Sequence, residues 1–198
     1  FSIIMQPIFN TFIAPMFNKF TPLEEGPLLD KIKTYLSKVN FPVKKLEVVD
    51  GSKRSSHSNA YFSGIGKNKR IALFDTLVEQ MEDDEILAVI AHEVGHYKLK
   101  HIYSGIFLSS LQSGVMLYIM SLFLNNEALF SVFKMQELSI YASLVFFSML
   151  YAPISLILGV FFSIISRKNE FSADTYSAQT AKMPKSLISA LKKMSKEN

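Results

Sequence analysis

Two long uncharged runs constrain what this chain can fold into more than any other feature of its sequence. Residues 102–124 are 23 consecutive uncharged residues, and residues 138–166 are 29. At about 1.5 Å per residue, a helix built from either run can cross a hydrocarbon core of about 30 Å. Neither run leaves a polar face wide enough for a core helix of a soluble protein. We therefore predict a mainly α membrane protein in which the two runs form a transmembrane helical hairpin.

The composition agrees with a membrane protein and excludes some other classes. Hydrophobic residues make up 49% of the chain, and the mean hydropathy is +0.22. The net charge of +4 is small and the basic residues are scattered, so the sequence shows no surface for nucleic acid. The absence of cysteine excludes a disulfide framework and fits the reducing side of a membrane.

The charges that flank the two runs predict their orientation. Lys98 and Lys100 precede the first run, and Arg167 and Lys168 follow the second, whereas residues 125–137 contain a single lysine. Because basic residues concentrate on the cytoplasmic side of membrane spans, we expect both outer ends in the cytoplasm. Two crossings also return the chain to the side that it left. Residues beyond the second run can therefore meet residues that precede the first.

A metal-binding motif lies immediately before the first run. His92, Glu93 and His96 form the pattern H-E-x-x-H, with the histidines four residues apart. On a helix, side chains at this spacing share a face, so both imidazoles can bind one metal ion while Glu93 holds a water molecule. The same pattern also arises by chance in structural helices. A third ligand is needed to distinguish the two cases.

The choice of third ligand is narrowed by elimination and by topology. The metzincin pattern would need glycine at Leu99 and histidine at Ile102, so that class is excluded. Without cysteine, the ligand must be His, Asp or Glu. Glu170 and Asp174 follow the second run, four residues apart on a helix that we expect to begin there. Glu170 would complete a His₂Glu zinc site, and Asp174 would orient a ligand imidazole.

The rest of the sequence predicts a small soluble part. Apolar residues recur at helical spacing over residues 27–39, which indicates a surface helix. Strands are expected at 45–50, 59–64 and 70–74. We predict that they form a small antiparallel sheet before the metal helix, the helix that carries the H-E-x-x-H motif.

We divide the chain into four segments by these features. They are the end of an upstream membrane or interfacial segment (1–20), a cytoplasmic helix, sheet and HExxH helix (21–101), the transmembrane hairpin (102–166), and cytoplasmic helices that carry the third ligand (167–198).

Several blocks of the sequence together identify a family. In order they are IAPMFN (13–18), PLEEG (22–26), SNAYFSG (58–64), KRIALFDTL (69–77), HEVGH (92–96) and NEFSAD (169–174). With these blocks the chain closely resembles the zinc-dependent CaaX prenyl proteases, integral membrane enzymes that trim isoprenylated proteins. The resemblance runs from about Phe9 to the C-terminus. Several independent blocks in one order are more specific than the metal motif alone.

The resemblance implies roles for individual residues. His92, His96 and Glu170 match the ligands of one Zn²⁺ per chain, and Glu93 matches the catalytic acid/base. Asp174 matches the family's second functional acid, which is often assigned as a proton donor, although orienting a ligand is the simpler physical role.

The resemblance also implies where substrate binds and what this chain lacks. The strand containing Asn59, Ala60 and Tyr61 matches the edge that pairs with the substrate backbone. The family has further membrane helices upstream and a C-terminal segment with a His and an Arg near the site. We expect this chain to be a fragment without them.

The expected function is hydrolysis of peptide bonds near the C-terminus of isoprenylated CaaX proteins. The expected partners are a prenylated protein or peptide and the lipid bilayer, with no nucleic acid. The active site would face the cytoplasm, at the endoplasmic reticulum membrane in a eukaryote or the inner membrane in a bacterium. Two alternatives stay open: a membrane quality-control zinc protease of the heat-shock type, and a catalytically silent membrane scaffold.

Overall fold

The structure is a computed structural model that describes residues 18–53, 60–63, 69–124, 126–132, 134 and 139–196. Most of the predicted N-terminal membrane or interfacial segment, residues 1–17, lies outside the described residues. The chain divides into two compact units. We call Phe1–Leu99 with Glu170–Asn198 the mixed unit and Lys100–Asn169 the helical unit.

The described elements follow one another in a simple order. They are β1 (Phe20–Pro22), α1 (Pro27–Lys38), β2 (Lys45–Val49), a short 3₁₀ turn (Gly51–Lys53), β3 (Ala60–Ser63), β4 (Arg70–Phe74), α2 (Asp75–Gln80), α3 (Asp83–Lys98), α4 (His101–Phe123), α5 (Glu127–Val132), α6 (Ile140–Ala181) and α7 (Pro184–Lys196). The predicted surface helix and three strands therefore fall within one or two residues of their expected positions.

The four-stranded sheet is mixed, which corrects the predicted antiparallel sheet. The strand order is β1-β2-β4-β3, with β2 and β4 parallel and the other two pairs antiparallel. Ile71, Ala72 and Leu73 of β4 are all buried, so this strand is covered on both faces and takes a central position. β4 therefore pairs with β2 on one side and with β3 on the other, and a parallel pair such as β2 and β4 needs a long connection between its strands.

Helix α3 is the centre of the core of the mixed unit. Its start is fixed by a capping box, in which Glu82 and Glu85 satisfy each other's backbone N–H groups. The sequence predicts an apolar stripe of Ile86, Ile90, Val94 and Tyr97 along this helix. The first three are buried and Tyr97 is partly buried. The structure also buries Leu87, Ala88, Val89 and Ala91, so most of the helix is enclosed. Such a helix is held rigidly by its surroundings.

The helical unit contains the uncharged runs. Both α4 and α6 are long and apolar enough to cross a membrane, by length and composition. None of the α4 side chains is buried within the structure, and large apolar groups such as Tyr103, Phe107, Ile157 and Phe161 are exposed. Within this unit Phe130 of α5 packs edge-on against Phe146 of α6, with ring centroids 5.6 Å apart.

Helix α6 corrects the expectation that a new helix begins near residue 167. It is continuous for 42 residues and carries both the second uncharged run and the two acids, Glu170 and Asp174. No glycine or proline lies between Ser166 and Ala181 to interrupt it, and a helix does not require a break where its polarity changes. Its last residues, from Glu170 onward, belong to the mixed unit.

Candidate metal centre

The two histidines of the H-E-x-x-H motif lie on one face of α3. Their imidazole rings are 4.7 Å apart between centroids, and the two Nε2 atoms are 3.0 Å apart. The side chains are largely buried, with 13% of His92 and 22% of His96 exposed. The helical spacing therefore places two nitrogen donors together at a protected position.

Glu170 completes a group of three donor atoms. Its Oε2 lies 3.4 Å from the Nε2 of His92 and 3.4 Å from the Nε2 of His96. These residues are a possible metal-binding group among the described part of the chain, with every ligand atom within 4.8 Å of the others. A tetrahedral ion with bonds of about 2.0–2.1 Å separates its ligand atoms by about 3.4 Å. The observed separations of 3.0 and 3.4 Å fit such an ion.

Asp174 lies behind His92 on the side away from this group. The Nδ1 of His92 donates a hydrogen bond of 2.8 Å to Oδ1 of Asp174. With the proton on Nδ1, the lone pair of Nε2 points toward the other two donors, which is the tautomer that binds a metal. Asp174 thus fixes the orientation of the His92 imidazole.

Glu93 is the remaining ionisable side chain of the motif. Burial raises its pKa, the neighbouring His92 lowers it and Glu170 raises it again, which brings the pKa to about 7. A carboxyl group with this pKa can both accept and release a proton near neutral pH.

The strand expected to bind substrate lies beside the metal helix. Asn59 is outside the described residues, whereas Ala60 and Tyr61 are in β3. β3 is the edge of the sheet and packs against α3. Burial raises the pKa of Tyr61, while Arg70 lowers it. Tyr61 is thus neutral at physiological pH.

Sequence reasoning missed Gly95, the residue that lets α3 and α6 approach each other. A Cβ atom added there would lie 3.2 Å from the Cα and carbonyl oxygen of Ala173 and from the Cβ of Tyr176. Nearby, the hydroxyl of Ser177 donates a 2.9 Å hydrogen bond to the carbonyl of Ala88. The available signal was the small size of Gly95 on α3 and of Ala173 and Ser177 on α6, since small residues permit close contact between helices.

Two imidazoles from α3 and one carboxylate from α6 form a group that could hold one metal ion, and metallopeptidases use sites with this His₂Glu donor set. Residues 22–197 match the model of Peptidase family M48. The chain belongs to that family.

Individual relatives agree with the family match. The chain is 44% identical over 202 residues to the CAAX prenyl protease 1 homolog of Oryza sativa, covering 100% of this chain and 46% of the relative. It is 34% identical over 236 residues to the homolog of Homo sapiens, covering 100% and 50%. The crystal structure of Ste24p from S. mikatae superposes with a TM-score of 0.81 at 36% identity, covering 99% of this chain and 50% of that one. The chain therefore spans about half the length of these relatives.

Proposed function

We propose that this chain is the metal-binding part of an integral membrane zinc metalloendopeptidase. Its reaction would be hydrolysis of peptide bonds near the C-terminus of isoprenylated CaaX proteins. The family match and the relatives named CAAX prenyl protease 1 support this assignment. The observation that carries it is the convergence of His92, His96 and Glu170, whose donor atoms are 3.0–3.4 Å apart.

The proposed cofactor is one Zn²⁺ per chain, held by His92, His96 and Glu170. Two nitrogen donors, one carboxylate and no cysteine suit zinc in an open catalytic site. Bound there, zinc supplies Lewis-acid chemistry, polarising the scissile carbonyl and making water more acidic.

The protein side chains would carry the proton transfers and hold the substrate. Glu93, with a pKa of about 7, accepts a proton from the attacking water and passes it to the leaving amine. Asp174 keeps the Nε2 of His92 available through their 2.8 Å hydrogen bond. The edge strand with Asn59, Ala60 and Tyr61 would bind the substrate backbone by adding it as a further strand.

The proposed organisation follows the four sequence segments. Residues 21–101 and 167–198 would face the cytoplasm, residues 102–166 would cross the bilayer, and residues 1–20 would end an upstream membrane or interfacial segment. The membrane would be the endoplasmic reticulum in a eukaryote or the inner membrane in a bacterium. A lipid-modified substrate suits a site that lies at a membrane face.

The test uses the full-length parent protein in lipid vesicles, with Glu93→Gln as the variant. We expect the wild type to release a tripeptide from a farnesylated CaaX peptide, and Glu93→Gln to keep one zinc per chain while losing this activity. The control is the same peptide without its lipid. Activity retained in Glu93→Gln would remove Glu93 from its proposed role.

The same assay separates the alternative functions. Preferential cleavage of an unfolded membrane protein over the farnesylated peptide would favour a quality-control protease. A purified wild type without stoichiometric zinc would instead indicate a scaffold. Neither alternative has an observation in this structure that favours it.

A further inference from the structure

A buried lysine lies against two aromatic rings beside the metal helix. The Nζ of Lys69 is 4.1 Å from the ring centroid of Phe41 and 4.1 Å from that of Tyr97. The two rings are nearly perpendicular, at 86°, with centroids 5.0 Å apart. Phe41 also packs edge-on against Phe62, at 5.4 Å and 85°. We call these four residues the lysine–aromatic cluster.

The environment of Lys69 is unusual for a lysine. Only 8% of the residue is exposed, and lysine is rarely buried to this degree unless its charge is compensated. Among the ion pairs of the described residues, none involves Lys69. The faces of Phe41 and Tyr97 carry the negative part of the ring quadrupole, and both centroids lie well within the roughly 6 Å range of a cation–π interaction. The rings therefore supply the compensation.

The cluster connects helix α3 with strand β3, the two elements whose relative position the proposed reaction requires to be fixed. Tyr97 directly follows His96 near the end of α3. Phe62 is in the edge strand β3, next to Tyr61. Lys69 immediately precedes β4, the partner of β3, and Phe41 lies between α1 and β2 and contacts both neighbouring rings.

The directions of these contacts distinguish the cluster from ordinary apolar packing. An apolar side chain in place of Lys69 would fill the same space but would attract no particular ring face. An ammonium group must stay over both faces at once, which restricts how far Tyr97 and Phe41 can rotate or slide. Because Phe41 is edge-on to Phe62, this restriction is passed to β3.

We propose that Lys69 is a positioning residue, which through Phe41 and Tyr97 fixes the edge strand β3 relative to the metal helix α3. This inference rests on the proposed function, in which β3 binds the substrate backbone. The contacts that define the role of Lys69 are with Phe41 and Tyr97, so its effect is on the alignment of bound substrate. Small misalignments of this kind lower the rate of the chemical step more than they weaken binding.

The test compares Lys69→Met, which keeps most of the volume and removes the charge, with Lys69→Arg, which keeps a cation that stacks on rings. In the full-length parent with a farnesylated CaaX peptide, we expect Lys69→Met to lower kcat by about tenfold with KM changed less than about twofold. Zinc content should stay at one per chain, and Lys69→Arg should recover kcat to within about threefold. The control is Lys33→Met, on the exposed face of α1, which should match the wild type.

A readout besides activity keeps the inference separate from the proposed function. Hydrogen exchange of the backbone amides of β3 should become faster in Lys69→Met and remain at the wild-type rate in Lys33→Met. An inactive wild type would overturn the proposed function while this exchange measurement still tests the contact.

Two outcomes would overturn the role of Lys69. One is a Lys69→Met protein with wild-type kcat and wild-type exchange in β3. The other is a loss of kcat that is accompanied by loss of zinc, which would make Lys69 a structural residue only. If Lys69→Met does not fold, Tyr97→Leu replaces it, with Tyr97→Phe as the control that retains the ring. Wild-type kcat in Tyr97→Leu would overturn the inference equally.

Discussion

Replacing Gly95 with alanine should disturb the metal site more than it disturbs the fold. The added Cβ would lie 3.2 Å from the Cα and the carbonyl oxygen of Ala173 and from the Cβ of Tyr176. Carbon atoms in ordinary contact are about 3.5–4.0 Å apart, so the deficit is about 0.3–0.8 Å. Two of the three atoms are backbone and cannot rotate away. The helices α3 and α6 must therefore separate by several tenths of an ångström.

The effect on stability is the difference of two opposing contributions. Alanine favours a helix over glycine by about 1 kcal/mol, whereas overpacking a tight contact costs about 1–3 kcal/mol. The net loss of unfolding free energy is then between about 0 and 2 kcal/mol. Metal sites tolerate far less movement, about 0.2 Å in ligand distance. Because Ala173 lies between Glu170 and Asp174, both acids move when this helix is displaced.

The assay is a zinc titration against a competing chelator, using the full-length parent in detergent micelles. We expect Gly95→Ala to weaken zinc binding by at least about tenfold, comparable to the loss of an outer-sphere partner. The matched control is Gly114→Ala, also within a helix, where an added Cβ meets no atom within 4 Å. Wild-type zinc affinity in Gly95→Ala would refute the reasoning, since the helices would then tolerate the extra atom without moving the ligands.

Asp174→Asn should weaken zinc binding by about 10–100-fold, because an amide holds the His92 tautomer less firmly than a carboxylate; unchanged affinity in the chelator assay would contradict this. Glu85 should make the mixed unit sensitive to acid. Burial tends to raise the pKa of this carboxyl, but hydrogen bonds, led by the one from Lys193, hold the pKa below its usual value. The ionised carboxylate stabilises the fold fully above its unfolded pKa of about 4.3, and this stabilisation is lost as the pH falls through its lower pKa in the folded protein. In thermal unfolding scans the melting temperature should therefore fall more steeply with acid for wild type than for Glu85→Gln. Parallel curves would exclude this role. Ser177→Ala removes the 2.9 Å hydrogen bond from α6 to the Ala88 carbonyl of α3 and should lower the unfolding free energy by about 1 kcal/mol. Denaturant titration measures this, and an unchanged unfolding midpoint would contradict it.

Residue spacing and the order of the membrane runs were sufficient to predict the three residues of the candidate site. The spacing of His92 and His96 predicts a shared helix face, and the structure places their Nε2 atoms 3.0 Å apart. Glu170 was predicted from topology, because two crossings return the chain to its starting side. The structure brings its carboxylate to 3.4 Å from both histidines. Helical spacing and the lengths of the two uncharged runs were enough for these predictions, and no knowledge of side-chain packing was needed.

Features that depend on packing between distant segments could not be predicted in the same way. The parallel pairing of β2 with β4 depends on which strand the core encloses, and strand order along the chain does not determine that. The close approach at Gly95 requires knowledge of the facing residue, Ala173. Likewise, the sequence alone does not show that the ammonium group of Lys69 lies against the adjacent rings of Phe41 and Tyr97.

The central claim is that two imidazoles from α3 and one carboxylate from α6 hold a single zinc ion. X-ray absorption at the zinc edge, with metal analysis of the same samples, tests it most directly in the full-length parent. We predict one zinc per chain, two imidazole ligands with only nitrogen and oxygen donors at about 2.0–2.1 Å, and loss of most of the zinc in Glu170→Ala. Full zinc occupancy in Glu170→Ala, or a wild-type spectrum without two imidazoles, would contradict the account.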